Sequence, residues 1–308
     1  CLMPVVLGIC AAAKIPASRQ LMPLAYAAGI GGVITMVGTP PNIIVSGVLT
    51  SFGYESFSFF EFAWIGIPLT FVVIAYMMFI GKYLLPKAEL DADQEIEQEI
   101  EATVTDSKKQ IVSGLILAVC IIVMALDLKA ISLEMTAIVG ALVCVLTGCL
   151  PEKQACSAID WVTIFLFAGM MPVSAAMDKT GAGKLIAEWA VSLMGGSPTP
   201  IIMTSVLFII SCTLTQFMSN TAACALLAPV GVAISQQLGA SPKAVLMAIG
   251  VAASCAFATP VGTPPCTLVL GPGGYKFMDY VKVGVPLVVL CFIVSIIVIP
   301  MVWPFFPG

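Results

Sequence analysis

The chain has 308 residues, 60% hydrophobic and 10% charged, with no histidine and a net charge of -4. These proportions exclude an ordinary soluble domain, whose apolar share is nearer one half and charged share nearer one quarter; apolar segments this long and numerous belong in a bilayer. The net charge implies no acidic or basic partner: Glu89, Asp91, Asp93, Glu95, Glu97, Glu99, Glu101 and Asp106 sit in one hydrophilic stretch, and no basic run suggests nucleic acid.

Residues 1–13 read as the end of an apolar helix, closed by Lys14-Ile15-Pro16-Ala17-Ser18-Arg19. A helix over 20–36 is predicted to break at 37–42, within Gly38-Thr39-Pro40-Pro41-Asn42, and to resume to about 50. Proline lacks the amide donor and drives its predecessor out of the α region. A polar connection at 51–58 leads to a spanning segment at 59–85, where about 20 residues suffice to cross. Residues 87–110 form an acidic linker that divides the chain.

Further spans are predicted at 111–127, 131–150 and 161–177, then an amphipathic interfacial segment at 180–196 carrying Lys184, Glu188 and Trp189. Two apolar arms, 199–217 and 222–238, flank Ser219-Asn220-Thr221. Each arm is marginal for a crossing and the turn is very short, so a re-entrant hairpin is expected. A second broken helix over 242–270, interrupted from Thr259 to Pro265, and a last span at 279–303 complete the pattern.

The two breaks are copies. Gly38-Thr39-Pro40-Pro41 returns as Gly262-Thr263-Pro264-Pro265, Pro4 matches Pro229, Gly53-Tyr54 matches Gly274-Tyr275, and Gly66-Ile67-Pro68 matches Gly284-Val285-Pro286. Ordered matches of this kind point to an internal duplication. An odd number of expected crossings separates the span at 59–85 from its partner at 279–303, so the copies face opposite ways. Residues 1–86 are then the later part of a first inverted repeat and 111–308 the second repeat. The Pro4 match places the first counterpart of Ser-Asn-Thr before Cys1, so upstream sequence with a first hairpin and scaffold helices is expected.

Positive charge sets the direction. With 87–110 in the cytoplasm, Lys14, Arg19, Lys82, Lys87, Lys108, Lys109, Lys153, Lys276 and Lys282 lie inside and only Lys129, Lys179, Lys184 and Lys243 outside. Asp127, Asp160 and Asp178 fall at span ends, and Trp161, Trp189 and Trp303 suit interfacial belts. The cysteines, such as Cys120, Cys144, Cys212 and Cys291, stand singly in apolar segments and read as small buried residues.

The chemistry concentrates at the breaks and the hairpin tip. Helix breaks inside a bilayer survive only where they are buried or line a polar cavity, and two matched breaks mark a transporter's central site. Ser219, Asn220 and Thr221, preceded by Thr215 and Gln216, offer neutral oxygens to a hard cation and donors to an anion. A lone Ser-Asn-Thr is also a helix cap. Gly262 and Gly38 permit close backbone approach, and Thr263, Thr39 and Asn42 add polar groups.

At these residues the chain resembles the divalent anion/sodium symporter family, the INDY-like group of the ion transporter superfamily. Its hallmarks are two inverted repeats, each with a Ser-Asn-Thr hairpin and a helix broken near Gly/Ala-Thr-Pro. The run Phe167-Ala168-Gly169-Met170 leading to Asp178-Lys179-Thr180-Gly181 is similar to the family as well. The resemblance implies an all-α multi-pass protein of the cell membrane, a homodimer, with no cofactor beyond sodium as coupling ion. It implies one sodium site at Thr215, the Met218 carbonyl, Ser219, Asn220 and the Gly262 carbonyl, and another using Gly38 with a first hairpin. Substrate carboxylates would meet Asn220, Thr221, Thr263 and Pro264, with Thr39 and Pro40 from the first copy. Cys266 departs from the pattern where the first copy has Asn42.

Sodium-coupled uptake of small dicarboxylates of the succinate, malate and fumarate class is therefore expected. Moving a dianion inward against about 100 mV costs about 4.6 kcal/mol, which two sodium ions cancel. A sodium-independent dicarboxylate exchanger, a permease for sulfate or another anion, and a structural membrane subunit are the alternatives. An enzyme is disfavoured, since histidine, a convincing acid pair and a metal set are all missing from the sequence.

Overall fold

The computed structural model describes residues 3–86, 107–126, 133–157 and 199–306, with isolated positions between 159 and 192. The linker from 87 to 106, most of the segments expected at 161–177 and 180–196, and Asp127, Lys129, Asp160 and Asp178 lie outside the described residues.

Every regular element among the described residues is helical. In chain order they are α1 (Met3–Ala13), α2 (Leu21–Gly31, prolonged by a 3-10 turn at Gly32–Ile34) and α3 (Pro40–Ser51). Next come α4 (Ala63–Tyr76, continuing through π-helical Met77–Gly81 to Lys82–Leu84), α5 (Ser107–Ala125), α6 (Leu133–Leu146) and α7 (Glu152–Ser157). The chain ends with α8 (Pro200–Phe217), α9 (Asn220–Leu238), α10 (Pro242–Ser254), α11 (Pro264–Leu270) and α12 (Phe277–Val302). The segment 63–84 and helices α8, α9 and α12 are each long and apolar enough to cross a bilayer. Trp64, Phe71, Phe79, Ile293 and Met301 stand exposed on α4 and α12, as a lipid-facing surface requires.

The core forms where the two broken helices meet the α8–α9 hairpin. Leu21, Tyr26, Ile30, Val45 and Leu49 from the first half pack with Val245, Leu246, Ile249, Ala252 and Phe257 from the second. Residues 244–254 are all buried, so α10 is apolar on every side and runs through the centre. Around it, α9 packs on α10 and α3, α8 on α10 and α12, and α4 on α2 and α12.

Polar ties gather at two ends of the bundle. At one end the Ser18 hydroxyl donates to the Pro86 carbonyl at 3.0 Å, while the Tyr275 hydroxyl donates to Ser18 O at 2.6 Å and accepts from Met22 N at 2.8 Å. At the other, Glu61 accepts from Lys243 at 3.4 Å, from the Trp303 indole at 2.9 Å and from Ser58 N at 3.0 Å. Helix α4 starts beside the second cluster and ends at the first; α12 does the reverse. The two run antiparallel, and Tyr76 near the end of α4 donates to Val283 O near the start of α12 at 2.7 Å. Trp303, expected at an interfacial belt, is instead buried, because its indole is committed to Glu61 inside this cluster.

Candidate functional site

The breaks fall earlier than the sequence suggested. Helix α2 and its 3-10 turn stop at Ile34 and α10 stops at Ser254, so the non-helical stretches are 35–39 and 255–263. The prolines do not interrupt; they begin. Pro40–Pro41 and Pro264–Pro265 open α3 and α11, positions whose amides have no intrahelical acceptor in any case. The first N–H groups of these helices belong to Asn42 and Cys266, which donate to the Thr39 and Thr263 carbonyls at 3.1 Å each. Thr39 (φ -147, ψ 142) and Thr263 (φ -135, ψ 142) share one extended cap conformation, and neither side chain caps its helix. Both are buried.

Close backbone approach shapes both breaks. A Cβ on Gly38 would strike the Gly32 carbonyl, and one on Gly262 would lie 2.5 Å from Ala256 Cβ and 2.6 Å from Thr215 O. Gly66 packs on the backbone of Val33 and Ile34, just before the first break. Gly284, its sequence match, packs on Phe257 and Ala258, within the second. Ala256, Phe257 and Ala258 stand at the same spacing from Gly262 as Gly32, Val33 and Ile34 do from Gly38.

At the hairpin tip, Ser219 is the N-cap of α9, its hydroxyl accepting from Ala222 N at 3.2 Å, and it is exposed. Asn220 and Thr221 are buried in the first turn. The Asn220 amide N–H donates to Gly262 O at 3.2 Å, joining the tip to the second break. The Asn220 side-chain oxygen accepts from Thr221 N at 2.8 Å. Thr215 donates its hydroxyl to Ala253 O at 2.9 Å, and its own carbonyl faces Gly262. Thr215, Asn220, Thr221 and Gly262 are thus brought together, with Thr263 and Pro264 following in the chain. Met218 is the C-cap of α8, one residue before the tip turns.

Gly38, Thr39 and Pro40 lie at the other break. No hydrogen bond among the described residues ties Gly38 or Thr39 to the hairpin tip; the nearest link is the Cys224 thiol, which donates to Pro41 O at 3.5 Å. Two amides outside the ligand set that the resemblance implied are conspicuous. Asn42 donates to Val33 O at 3.4 Å and Thr35 O at 3.0 Å, while its buried Oδ1 accepts no hydrogen bond among the described residues, leaving a neutral oxygen for a cation. Gln216 bonds to the second break at several points. Its sequence signal was a lone amide in an apolar arm, where an uncompensated polar group is costly.

The chemistry is that of uncharged ligation. Carbonyls of unwound backbone, hydroxyls and side-chain amides suit sodium, and the positive ends of half-helices suit an anion. Among the described residues no three His, Cys, Asp or Glu cluster as metal ligands.

Two helices interrupted in mid-course, the second of them tied to a hairpin tip, within an all-helical multi-pass membrane protein, define the transporter class. The citrate transporter family model matches residues 1–131 and 118–306, and the chain belongs to that family. The family is one of transporters, not of enzymes. The chain is 40% identical over 171 residues to the uncharacterised transporter YfbS of Escherichia coli, covering 54% of this chain and 28% of that one. It is 34% identical over 287 residues to an uncharacterised transporter of Haemophilus influenzae, covering 89% and 60% respectively. It is 26% identical over 310 positions to the sodium-dependent dicarboxylate transporter SdcS of Staphylococcus aureus, covering 94% and 59%. These relatives accord with the resemblance to the divalent anion/sodium symporters. The chain spans no more than 60% of the length of any of the three.

Proposed function

We propose that this chain supplies most of a sodium-coupled secondary transporter that imports small dicarboxylates of the succinate, malate and fumarate class by alternating access. The observation that carries the reading is the bond from Asn220 N to Gly262 O beside Thr215, which sets a hairpin tip against unwound carbonyls at the centre of the bundle. Sodium would be held at Thr215, Met218, Ser219, Asn220 and Gly262, and a second ion at Gly38. Substrate carboxylates would meet Asn220, Thr221, Thr263 and Pro264, with Thr39 and Pro40. The names of the SdcS relatives support the sodium and the substrate class. A homodimer is the proposed assembly.

The proposal includes an inverted repeat, with 1–86 and 111–308 as its parts and 87–110 as a cytoplasmic linker. Supporting it are the antiparallel course of α4 and α12 and the matched contacts of Gly66 and Gly284. It also includes re-entry of the hairpin. Ser211 donates to Ile249 O at 2.9 Å and Thr215 to Ala253 O, so α8 runs parallel to α10. Helix α9 returns to the end where α10 begins, and both arms therefore open on one side of the bundle.

The function is tested by succinate uptake into proteoliposomes holding the intact protein. Uptake should be several-fold faster with sodium than with potassium outside, and should be competed by malate and fumarate. Equal uptake in potassium, driven by succinate preloaded inside, would assign an exchanger instead; competition by sulfate or citrate but not malate would move the substrate class.

Orientation is tested separately. Cysteines introduced as Gln98→Cys and Phe306→Cys, on a cysteine-depleted background, should react with an impermeant maleimide from opposite sides, the first from the cytoplasm. Labelling of both from one side would remove the inverted arrangement.

A further inference from the structure

We infer that Gln216 is the positioning residue that holds the second break against the hairpin tip and thereby sets the sodium affinity of the site at Thr215, Asn220 and Gly262. The inference rests on the sodium-coupled reading above and names a residue outside its ligand set.

Gln216 lies in the last turn of α8, and both polar ends of its amide are occupied. Nε2 donates to Cys212 O at 3.0 Å and to Cys255 O at 3.3 Å, while Oε1 accepts from Ala258 N at 3.0 Å. Its main-chain carbonyl accepts from the Thr259 hydroxyl at 2.7 Å. Cys255 and Ala258 lie in the unwound stretch, where the backbone has lost its helical partners. In a bilayer such groups need a substitute, and the Gln216 amide supplies a donor and an acceptor at once.

The consequence reaches the ion ligands. The segment 258–262 is pinned at both ends, by Gln216 at Ala258 and Thr259 and by the Asn220 amide at Gly262. Between these pins the direction of the Gly262 carbonyl is determined. Thr215, the residue before Gln216, is held by the same turn. Gln216 itself is placed to bond the backbone, so its influence on sodium is indirect.

The two breaks solve one problem with different parts. At the first, the Asn42 amide donates to Val33 O and Thr35 O from within α3. At the matching position of the second stands Cys266, which has no amide side chain. There Gln216 ties the break from the hairpin, at Cys255 and Ala258, while Tyr26 donates its hydroxyl to Phe257 O at 2.8 Å.

The test uses the intact protein as wild type, Gln216→Ala and Gln216→Met. Sodium activation of succinate uptake is measured alongside substrate-free thermal stabilisation by NaCl against KCl. Gln216→Ala should raise the sodium concentration for half-activation about tenfold, the scale of one lost hydrogen bond in a desolvated site, with the maximal rate at saturating sodium within about twofold. Gln216→Met keeps the length of the side chain and its apolar packing but neither donates to Cys255 O nor accepts from Ala258 N, so its sodium midpoint should rise as far as that of Gln216→Ala.

An unchanged midpoint in Gln216→Ala, or a lower maximal rate at an unchanged midpoint, overturns the inference. Should Gln216→Ala fail to yield folded protein, Gln216→Met decides in its place, and a wild-type sodium midpoint in folded Gln216→Met overturns the inference. A wild type that NaCl stabilises no more than KCl overturns the sodium reading itself, whatever the Gln216 variants do.

Discussion

Gly262→Val abolishes sodium-stimulated uptake, whereas Cys291→Ser leaves it within about twofold of wild type: this is the largest contrast expected from the geometry. A Cβ at Gly262 meets Ala256 Cβ at 2.5 Å and the Thr215 carbonyl at 2.6 Å, and neither obstacle is the end of a flexible side chain. Relief requires the break to swing away from the end of α8. That movement separates Gly262 O from Asn220 N and misdirects the carbonyl offered to sodium. Forced overpacking costs about 1–3 kcal/mol, which corresponds to roughly tenfold to hundredfold in an equilibrium, and valine adds two methyl groups beyond the Cβ. Cys291 is also buried, but it sits within α12, where a serine hydroxyl can bond the carbonyl one turn back. Uptake against sodium concentration, with chromatographic monodispersity as the folding control, gives the answer. Retention of normal sodium-stimulated transport by a monodisperse Gly262→Val protein would mean that Gly262 O is no ligand.

Asn220→Ala and Thr221→Ala should each weaken dicarboxylate uptake without preventing insertion, with Asn220 the more severe. The bond that joins the tip to the break comes from the Asn220 main-chain amide, which alanine keeps, so the substitution isolates the side chain. What is lost is a carbonyl that can turn to a cation and an NH2 that can donate to a carboxylate. Removing one such partner from a desolvated site costs about 1–3 kcal/mol, or roughly tenfold to hundredfold in affinity. Thr221 contributes one hydroxyl, which contacts Asn220 Oδ1 at 3.4 Å, and its loss should fall at the lower end. Both variants are to be titrated with sodium and with succinate. Normal sodium dependence and normal succinate affinity in Asn220→Ala would reduce the tip to a helix cap, the role already visible at Ser219.

The membrane class, the hairpin arms and the last span were legible because each rests on local composition. Unbroken apolar runs beside Ser219-Asn220-Thr221 predicted arms at 199–217 and 222–238, and α8 and α9 occupy 200–217 and 220–238. The duplicated Gly-Thr-Pro-Pro runs located the breaks to within a few residues, since proline chemistry acts on its immediate neighbours. Their exact edges were misjudged for the same reason: proline excludes a helix behind it but is well suited to start one, and only the chain on both sides decides which effect rules.

What the tertiary structure decided was everything that depends on residues far apart in sequence. The sequence by itself determined that helices would be interrupted at two places, but not that Asn220 N would meet Gly262 O after α9 and α10 have run out and back. Nor could it assign Trp303 to Glu61, because an indole in an apolar segment suits a lipid interface until a partly buried carboxylate is placed beside it. Gln216 is the sharpest case. One amide in an apolar arm has no periodicity to betray it, and its role exists only once Cys255 and Ala258 have lost their helical partners and lie within its reach. Local chemistry set where the backbone must open; long-range packing set which side chains close the opening, because an unpaired backbone group in a bilayer is satisfied by whatever polar atom the fold brings to it.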